Sequence, residues 1–224
     1  SVTVIGKYAF SRCSLLREIK IPSSVTKIGD SVFSGCPSLT QITIFPCKKN
    51  ILNFIENQFL VYKSDANTEI FDTLIWAKNC KEQIIIPSFI KIIHPSAFEK
   101  CSSLTEITIP SSVTLIGSSA FSGCSSLTEI TIPSSVTEIG EYAFSGCSSL
   151  RQITIPSSVT KIGDSAFSGC SSLAQITIPS SVAIIGDSAF EGCPFQMQMP
   201  IPSSENNEKS NRDAAHSHEE SEKE

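Results

Sequence analysis

The sequence predicts an α/β repeat solenoid, because one short motif returns at a constant interval along most of the chain. Phenylalanines recur every 23 residues, and a cysteine follows each of them three residues later. A fixed period of this size is typical of folds in which each coil covers the next. The seven signatures begin at Phe10, Phe33, Phe98, Phe121, Phe144, Phe167 and Phe190.

Each unit begins with a short extended segment. In one regular unit, Leu127, Ile130 and Ile132 point to the same side, as the alternation of side chains along a strand requires. Pro133 then ends the strand, because proline has no N–H to give to the sheet. The two serines that follow predict a polar turn.

The second half of each unit returns to the interior. It passes a glycine, Gly140 in this unit, which we expect to supply a bend. It ends in Ala-Phe-x-x-Cys, whose apolar spacing favours a short helical or 3-10 turn. Eight inward positions per unit follow: Leu127, Ile130, Ile132, Val136, Ile139, Ala143, Phe144 and Cys147.

One coil cannot bury eight apolar residues alone, so stacked coils are required, with parallel strands about 4.8 Å apart. We expect a right-handed coil of about nine turns. Phe33 and Phe98 are 65 residues apart. The 42 extra residues predict two shortened, degenerate coils, with strands at 59–62 and 74–77.

The predicted organisation is a solenoid over residues 1–202, with a divergent section at 45–83, and a disordered acidic tail at 203–224. Because the first six residues align with 112–117, we expect the chain to begin within a repeat of a longer protein. An uncapped first coil predicts fraying or self-association.

The charge distribution bears on the class of partner. The net charge is −5, and seven acidic against three basic residues lie at 205–224, so the rest of the chain is near −1. A nearly neutral array without a basic stripe does not favour nucleic acid as the partner. No apolar run approaches the roughly 20 residues of a membrane span.

The motif Ile-Pro-Ser-Ser-Val-Thr-x-Ile-Gly, followed two residues later by Ala-Phe-Ser-Gly-Cys-Ser-Ser-Leu, occurs without substitution at 109–127, 132–150 and 155–173. It resembles the leucine-rich repeats of the BspA-like type, and the resemblance covers about residues 1–202. The resemblance implies a right-handed leucine-rich-repeat solenoid with the parallel strands on the concave face and the Ala-Phe-x-x-Cys turns on the convex face. It also implies a surface antigen or adhesin, of the kind found in bacteria and parasitic protists, without catalytic residues.

The row of cysteines that follow the recurring phenylalanines has two interpretations. Seven thiols at fixed spacing suggest metal or disulfides, but zinc motifs need closely spaced pairs, and stacked equivalents have parallel Cβ vectors that do not suit a disulfide. We therefore expect a ladder of buried small hydrophobic residues. Cys47 and Cys80 fall outside the row, and a bridge between these two is the alternative to two free thiols.

Residues that alternate with the inward positions of the strands form the candidate binding face. Exposed threonine is also simply a good strand residue, so a ligand is one of two explanations for this face. The candidates are Arg17, Glu18, Lys20, Gln41, Thr43, Glu106, Thr108, Glu129, Thr131, Arg151, Gln152, Thr154, Gln175 and Thr177.

Tyr62, Phe71 and Trp76 in the divergent section form a secondary candidate, because exposed aromatic residues often anchor interfaces. The alternative, which we favour, is that they fill an irregular core. His94 stands where other units have glycine, and we interpret it as a tolerated turn substitution. The histidines and glutamates of the tail (His216, His218, Glu219 and Glu220) suggest weak metal binding, but a solvated charged tail is the simpler reading.

The sequence thus predicts a non-enzymatic surface adhesin or antigen, at the cell surface or secreted, that binds protein or glycan, including host extracellular matrix. The alternative is a cytoplasmic scaffold for protein–protein interaction with the same fold. No cofactor, metal or nucleic acid is expected. An enzyme is the least favoured class, because the regular repeats contain no histidine, no nucleophile motif and no phosphate-binding loop.

Overall fold

The computed structural model describes residues 2–45, 52–55, 58–65, 69–78 and 80–194. Over this part the chain forms a parallel β-solenoid of seven turns, where the repeat count had predicted about nine. The strands are β1 (Val4–Ile5), β2 (Glu18–Ile21), β3 (Lys27–Ile28), β4 (Gln41–Ile44), β5 (Leu52–Ile55), β6 (Phe59–Tyr62), β7 (Thr73–Ala77), β8 (Gln83–Ile85), β9 (Ile92–Ile93), β10 (Glu106–Thr108), β11 (Leu115–Ile116), β12 (Glu129–Thr131), β13 (Glu138–Ile139), β14 (Gln152–Thr154), β15 (Lys161–Ile162), β16 (Gln175–Thr177) and β17 (Ile184–Ile185).

Each regular coil contributes one strand to each of two rows. The first row is a five-stranded parallel sheet in the order β16-β14-β12-β10-β8, and the second continues β17-β15-β13-β11-β9. Neighbouring strands pair residues 23 positions apart, as Ile107 with Ile130 and Ile116 with Ile139. The sequence period is therefore the register of the sheet. At the N-terminal end, β2 pairs with β4 and β1 pairs with β3 in the same way.

All eight predicted inward positions of the unit at 127–147 are buried, which confirms that part of the analysis. The phenylalanine column is the clearest result. From Phe98 to Phe190, successive ring centroids lie 5.1 to 5.4 Å apart, and the planes of neighbouring rings are nearly parallel, with interplanar angles of 5° to 9°. Each ring thus covers the next, and no single coil could bury its own phenylalanine.

Hydroxyl groups join neighbouring coils at the turn after each strand. The second serine of Pro-Ser-Ser donates to a backbone carbonyl of the preceding coil, as Ser112 does to Ile90 at 2.6 Å and Ser158 to Val136 at 2.6 Å. Such bonds satisfy carbonyl groups that a tight polar turn would otherwise leave without a partner. The two serines are therefore cross-links between coils as well as turn residues.

The Ala-Phe-x-x-Cys segments are not helical, and the expected helical or 3-10 turns are a wrong prediction: none of the described residues is in a helix. We call these segments the outer turns; they are 7–12, 30–35, 95–100, 118–123, 141–146, 164–169 and 187–192.

The hydrogen bonds of an outer turn explain why it is not a helix. Within one turn, Ser145 N donates back to Tyr142 O, but Tyr142 N, Phe144 N and Gly146 N donate across to the next turn at 2.7 to 2.8 Å. A helix would keep every such bond within the segment. Tyr142 and Gly146 adopt φ values of 55° and 72°, which turn alternate N–H groups toward the neighbouring coil.

Glycine recurs at two positions of the repeat unit, and a different physical reason favours glycine at each position. Gly146 has the left-handed φ of 72°, which glycine adopts without strain. Gly140 does not have a positive φ; instead, a Cβ there would lie 2.6 Å from Ser118 N of the preceding coil. The bend expected at Gly140 is thus better described as a close approach between two backbones.

The divergent section does not form two shortened coils. Its strands at Phe59–Tyr62 and Leu74–Ala77 are confirmed in place, but β5, β6 and β7 pair antiparallel with one another. Only β7 returns to the solenoid, by parallel pairing with β9. A parallel coil needs a long connection, whereas these strands follow one another closely enough for antiparallel pairing.

This antiparallel unit separates two hydrophobic cores. Phe59 and Val61 of β6 pack into the core of the C-terminal coils, whereas Leu60 belongs to the core of the N-terminal coils. On β7, Leu74 faces the first core, whereas Ile75 and Trp76 face the second. Side chains of a regular strand alternate between two faces, and here a shift in the pairing of β6 with β7, between Leu60 and Val61, interrupts that alternation. The strands therefore form an internal partition of the solenoid.

Replacing Phe144 with alanine should lower the free energy of unfolding by about 3–5 kcal/mol, because the ring is fully buried between two others. Urea denaturation measures the change. Phe89→Ala is the matched control: its side chain is 45% exposed, and we expect a loss of about 0.5 kcal/mol. Equal losses in the two variants would show that the column is not the core.

Candidate functional site

The five-stranded sheet presents one continuous part of the predicted binding face. Nine of the candidate residues lie on its strands or directly before them, and all of these side chains are exposed. We call this surface the strand face. It comprises Glu106, Thr108, Glu129, Thr131, Arg151, Gln152, Thr154, Gln175 and Thr177.

The other five candidates lie on a separate sheet. Arg17, Glu18, Lys20, Gln41 and Thr43 belong to β2, β4 or the residue before β2, and the antiparallel unit lies between them and the strand face in the chain. Four of them are exposed and Thr43 is half-buried. The structure thus groups the fourteen candidates into two sets, which the sequence had treated as one face.

The strand face carries its charges in register. Glu106 stands beside Glu129, which stands beside Gln152 on the next strand. Gln83 Nε2 donates to Glu106 Oε2 at 3.1 Å. Like charges directly opposite each other in a sheet cost stability, so the pair of glutamates is not explained by packing.

A neighbouring row of threonines is structural. Thr105 Oγ1 donates to Glu82 O at 2.8 Å and Thr128 Oγ1 donates to Thr105 O at 3.2 Å. These side chains are not among the fourteen candidates taken from the sequence. The signal available in the sequence was their repetition at the first position of the strand, where a short hydroxyl can reach the coil before it.

The secondary candidate does not form one aromatic patch. Trp76 is only 9% exposed and packs with Phe33 at 6.0 Å between ring centroids. Phe71 packs against the other core, and Lys63 Nζ lies 4.9 Å from its ring centroid. Tyr62 is half-buried on the side of Trp76. This arrangement agrees with the favoured reading that the residues fill a core.

Most of the cysteine row consists of buried thiols with a consistent partner. Cys124, Cys147 and Cys170 are fully buried, and each Sγ donates to a phenylalanine carbonyl of the preceding coil at 3.1 to 3.2 Å. Burial raises the pKa of Cys147 to about 12. These residues therefore act as small hydrophobic side chains with one weak hydrogen bond each, as expected.

Cys101 is the exception, and here the prediction of free thiols is wrong. Cys101 forms a disulfide with Cys80, with Cα atoms 5.4 Å apart. Cys80 follows Ala77 by three residues, just as Cys101 follows Phe98, so it belongs to the row in a coil shorter than 23 residues. The parallel geometry that disfavours a bridge applies to regular coils only. Cys47 lies outside the described residues, and Cys80 is not its partner.

The outer turns at 30–35 and 95–100 meet across the antiparallel unit, although 65 residues separate them. Ser31 Oγ lies 3.0 Å from Ser96 Oγ, and the Ser34 hydroxyl donates to the Glu99 carboxylate. We call this contact the seam. The repeated spacing of the two Phe-x-x-Cys signatures could have indicated it, because equivalent turns of adjacent coils stack.

His94 adds a polar contact to the seam. Its Nε2 lies 3.2 Å from Asp30 Oδ1, and Asp30 also lies 3.9 Å from Lys7 Nζ. Burial lowers the pKa of His94 below its ordinary value of 6.5, and the nearby Asp30 carboxylate opposes this effect. His94 is thus more than a tolerated substitution of glycine: it connects the two halves of the solenoid.

Two cavities flank the seam. One of about 330 Å³ lies on the side of Trp76 and the Cys80–Cys101 disulfide, and is also lined by Cys36. The other, of about 500 Å³, lies on the outer surface and is lined by polar residues of four successive outer turns, from Lys7 to Ser119. We call the second cavity the outer cleft.

The described residues contain no group of three or more side chains suited to hold a metal ion. The four tail residues considered above as metal ligands lie beyond residue 194, outside the described part. Within that part, no helix has the length and apolar character needed to cross a membrane.

Comparisons with known proteins agree with the repeat pattern. The family model for the BspA-type leucine-rich-repeat region matches residues 1–75 and 68–196, with six copies. No curated protein matches the chain. A leucine-rich cell surface protein from Faecalibacterium prausnitzii is 35% identical, with a TM-score of 0.73; the match covers 88% of this chain and 52% of that one.

Two further solved structures are similar. A leucine-rich-repeat protein from Eubacterium ventriosum is 27% identical with a TM-score of 0.64, and the match covers 92% of this chain and 66% of that one. The pneumococcal vaccine antigen PcpA is 21% identical with a TM-score of 0.71, over 88% of this chain and 49% of that one, and shows a similar fold. The chain thus spans about half to two thirds of these proteins.

Alkylation of the native protein at pH 8 should leave Cys124, Cys147 and Cys170 unmodified, because burial keeps them protonated and inaccessible. Cys13 and Cys193, which are half-buried, should react first. Mass spectrometry of a non-reducing digest reads both results and should also recover Cys80 and Cys101 in one linked peptide. Equal alkylation of Cys147 and Cys13 would contradict the buried row.

The free energy of unfolding should fall as the pH drops below about 6.5. The unfolded chain protonates His94 near its ordinary pKa, whereas the folded chain, with its lowered pKa, binds that proton only at lower pH. The variant His94→Gln should lose this part of the pH dependence in urea titrations at pH 7.5 and 5.0. His216 and His218 are present in both proteins, so their contributions cancel. An unchanged dependence would mean that His94 titrates normally.

Proposed function

Because the chain belongs to the family of BspA-type leucine-rich repeats, we propose that it is a non-enzymatic surface antigen that adheres to protein or glycan through its strand face. The repeats of this family are generally binding scaffolds, and the 35% identical relative is described as a cell surface protein. The partner that we propose is a component of a host or microbial surface, including extracellular matrix.

The exposed polar row of the five-stranded sheet is the observation that carries this proposal. Thr131, Thr154 and Thr177 repeat in register, while the residues two positions earlier change from Glu129 to Gln152. A constant lattice with variable neighbours is suited to many weak polar contacts over a wide surface. The adjacent Glu106 and Glu129 support the same interpretation. Their mutual repulsion lowers the stability of the sheet, and binding of a partner gives these two charges a role that the fold does not.

The disulfide favours the cell surface over the cytoplasm. Bonds of this kind persist in oxidising compartments and are rare in cytosolic proteins. The six free thiols of the described residues favour the alternative, an intracellular scaffold with the same fold. Labelling of intact cells with a membrane-impermeant reagent separates the two, and protein found only inside the cell would contradict the surface assignment.

Reversing four charges of the candidate face should abolish adhesion without changing the net charge. The variant is Arg17→Glu, Glu106→Lys, Glu129→Lys and Arg151→Glu, and all four side chains are exposed. We expect at least a tenfold loss of affinity for host cells or matrix proteins in a solid-phase binding assay, because charge complementarity across an interface becomes repulsion.

The control is a matched reversal away from the candidate face: Lys27→Glu on β3, Glu138→Lys on β13, Lys161→Glu on β15 and Glu141→Lys in the outer turn after β13. These residues are also exposed, and the net charge is again unchanged. Adhesion should remain within about twofold of the wild type. If both variants bind as the wild type does, the strand face is not the adhesive surface.

A further inference from the structure

The outer cleft lies where the regular hydrogen bonding between outer turns is interrupted. At each of the other five steps, three N–H groups of one outer turn donate to the next, as Tyr8, Phe10 and Arg12 do to 30–35. Across the seam, the described residues show no such bond. Instead, the backbone N–H of Ala77 donates to the carbonyl of Ala97, so the ladder of hydrogen bonds between outer turns continues into the antiparallel unit.

The interruption leaves backbone groups of the seam without the partners that the regular ladder would supply. By the pattern of the other turns, the N–H groups of Ser31 and Gly35 would donate to the carbonyls of Pro95 and Glu99, but the described residues show neither bond. Ser31, Pro95 and Glu99 line the outer cleft, whereas Gly35 lines the other cavity. A ligand in the outer cleft therefore lies beside one backbone donor and two backbone acceptors that have no backbone partner among the described residues.

The charges around the cleft favour an anionic group. Lys7, Arg12 and Lys100 line it, against Asp30 and Glu99. Lys7 is paired with Asp30, whereas Arg12 and Lys100 take part in no ion pair within the part of the chain that the structure describes. Both of these cations occupy the position at which the next outer turn has glycine, and their side-chain stems lie beside that glycine: a Cβ at Gly35 would be 3.5 Å from Arg12 Cγ, and one at Gly123 3.3 Å from Lys100 Cγ.

The remaining lining matches a polyhydroxylated ligand. Six serines line the cleft, and three of them (Ser11, Ser118 and Ser119) make no side-chain hydrogen bond to another described residue. The ring of Tyr8 is 55% exposed at the edge. Hydroxyl groups both donate and accept, which suits a site with backbone groups of both kinds, and a volume of about 500 Å³ is that of a small-ligand site.

An extended peptide fits this place less well. The contact of 3.0 Å between Ser31 and Ser96 holds the two turns together. Adding a strand would need two spacings of about 4.8 Å between them. The ligand must therefore lie over the seam and not within it.

We propose that the outer cleft binds an acidic saccharide, a sugar unit that carries one carboxylate or one sulfate. Arg12 and Lys100 bind the anionic group, the serines and the backbone of the seam bind hydroxyls, and Tyr8 supports the apolar face of the ring. The site is independent of the strand face, because no residue belongs to both.

The test is calorimetric titration of the purified chain with three tetrasaccharides. Hyaluronan carries carboxylates, chondroitin 4-sulfate carries sulfates as well, and chitotetraose is uncharged. We expect binding of at least one acidic tetrasaccharide and none of chitotetraose. Comparing the two acidic probes tells which anionic group the site prefers. Binding of neither acidic probe, or equal binding of chitotetraose, would overturn the proposal.

The double variant Arg12→Asn and Lys100→Asn tests the site itself. Both residues have φ near 60°, which asparagine tolerates, so the fold should be retained. We expect affinity to fall by about tenfold or more, since two charge-assisted hydrogen bonds are lost. The matched control, Lys27→Asn and Lys161→Asn, removes the same charge elsewhere and should change affinity less than twofold. Equal losses of affinity in this variant and in the control would mean that saccharide binding depends only on the overall charge of the protein, which would contradict the proposal.

Three further outcomes separate the alternatives. Sodium sulfate that competes as strongly as the saccharide would reduce the site to simple anion binding, and an acidic peptide that binds more tightly would replace the saccharide as ligand. Both overturn the proposal. The variant with the four reversed charges (Arg17, Glu106, Glu129 and Arg151) should keep saccharide binding. Loss of binding in that variant, with binding retained in the Arg12 and Lys100 variant, would place the glycan on the candidate face of the strands and overturn the proposal.

Discussion

The structure depends on one constraint: every coil must bury its apolar residues against the next coil in the same register. The phenylalanine column shows this most directly, because each ring stacks on the ring 23 residues away. The same register sets the strand pairs, the serine and threonine bonds between coils, and the thiols that donate to the preceding coil. Stability is therefore shared between neighbours, as is general for solenoids.

The antiparallel unit is where this constraint is met by other means. Its strands present alternate side chains to two separate cores, so Phe59 continues the phenylalanine column toward Phe98 while Trp76 covers Phe33. At the outer edge the two halves still touch through the seam. Between the N-terminal and C-terminal coils, the inserted strands thus fill the interior, and at the outer edge the contact of Ser31 with Ser96 and that of His94 with Asp30 join the two halves.

The functional proposals follow from what the register leaves unconstrained. On the strand face, the hydrogen bond of Gln83 to Glu106 is the one contact between coils that the exposed side chains of the described residues make, so these side chains can differ from coil to coil. At the outer cleft, the regular ladder of hydrogen bonds is interrupted, and Arg12 and Lys100, which form no ion pair within the described residues, lie near backbone groups that an unbroken array would pair. The two surfaces are on different parts of the coil and use different chemistry, which makes them separable by substitution.

The sequence by itself determined the solenoid, the eight buried positions, the parallel register and the family, because each of these repeats and repetition is visible without coordinates. It also indicated the positions of β6 and β7. Only the tertiary structure decided the antiparallel pairing, the non-helical outer turns, the Cys80–Cys101 disulfide and the division of the candidate face into two sheets. The reason is physical: these features depend on contacts that the 23-residue spacing alone does not fix. In the seam, Ser31 and Ser96 hold equivalent positions of two outer turns, yet they are 65 residues apart and become neighbours because the inserted strands between them leave the path of the coil.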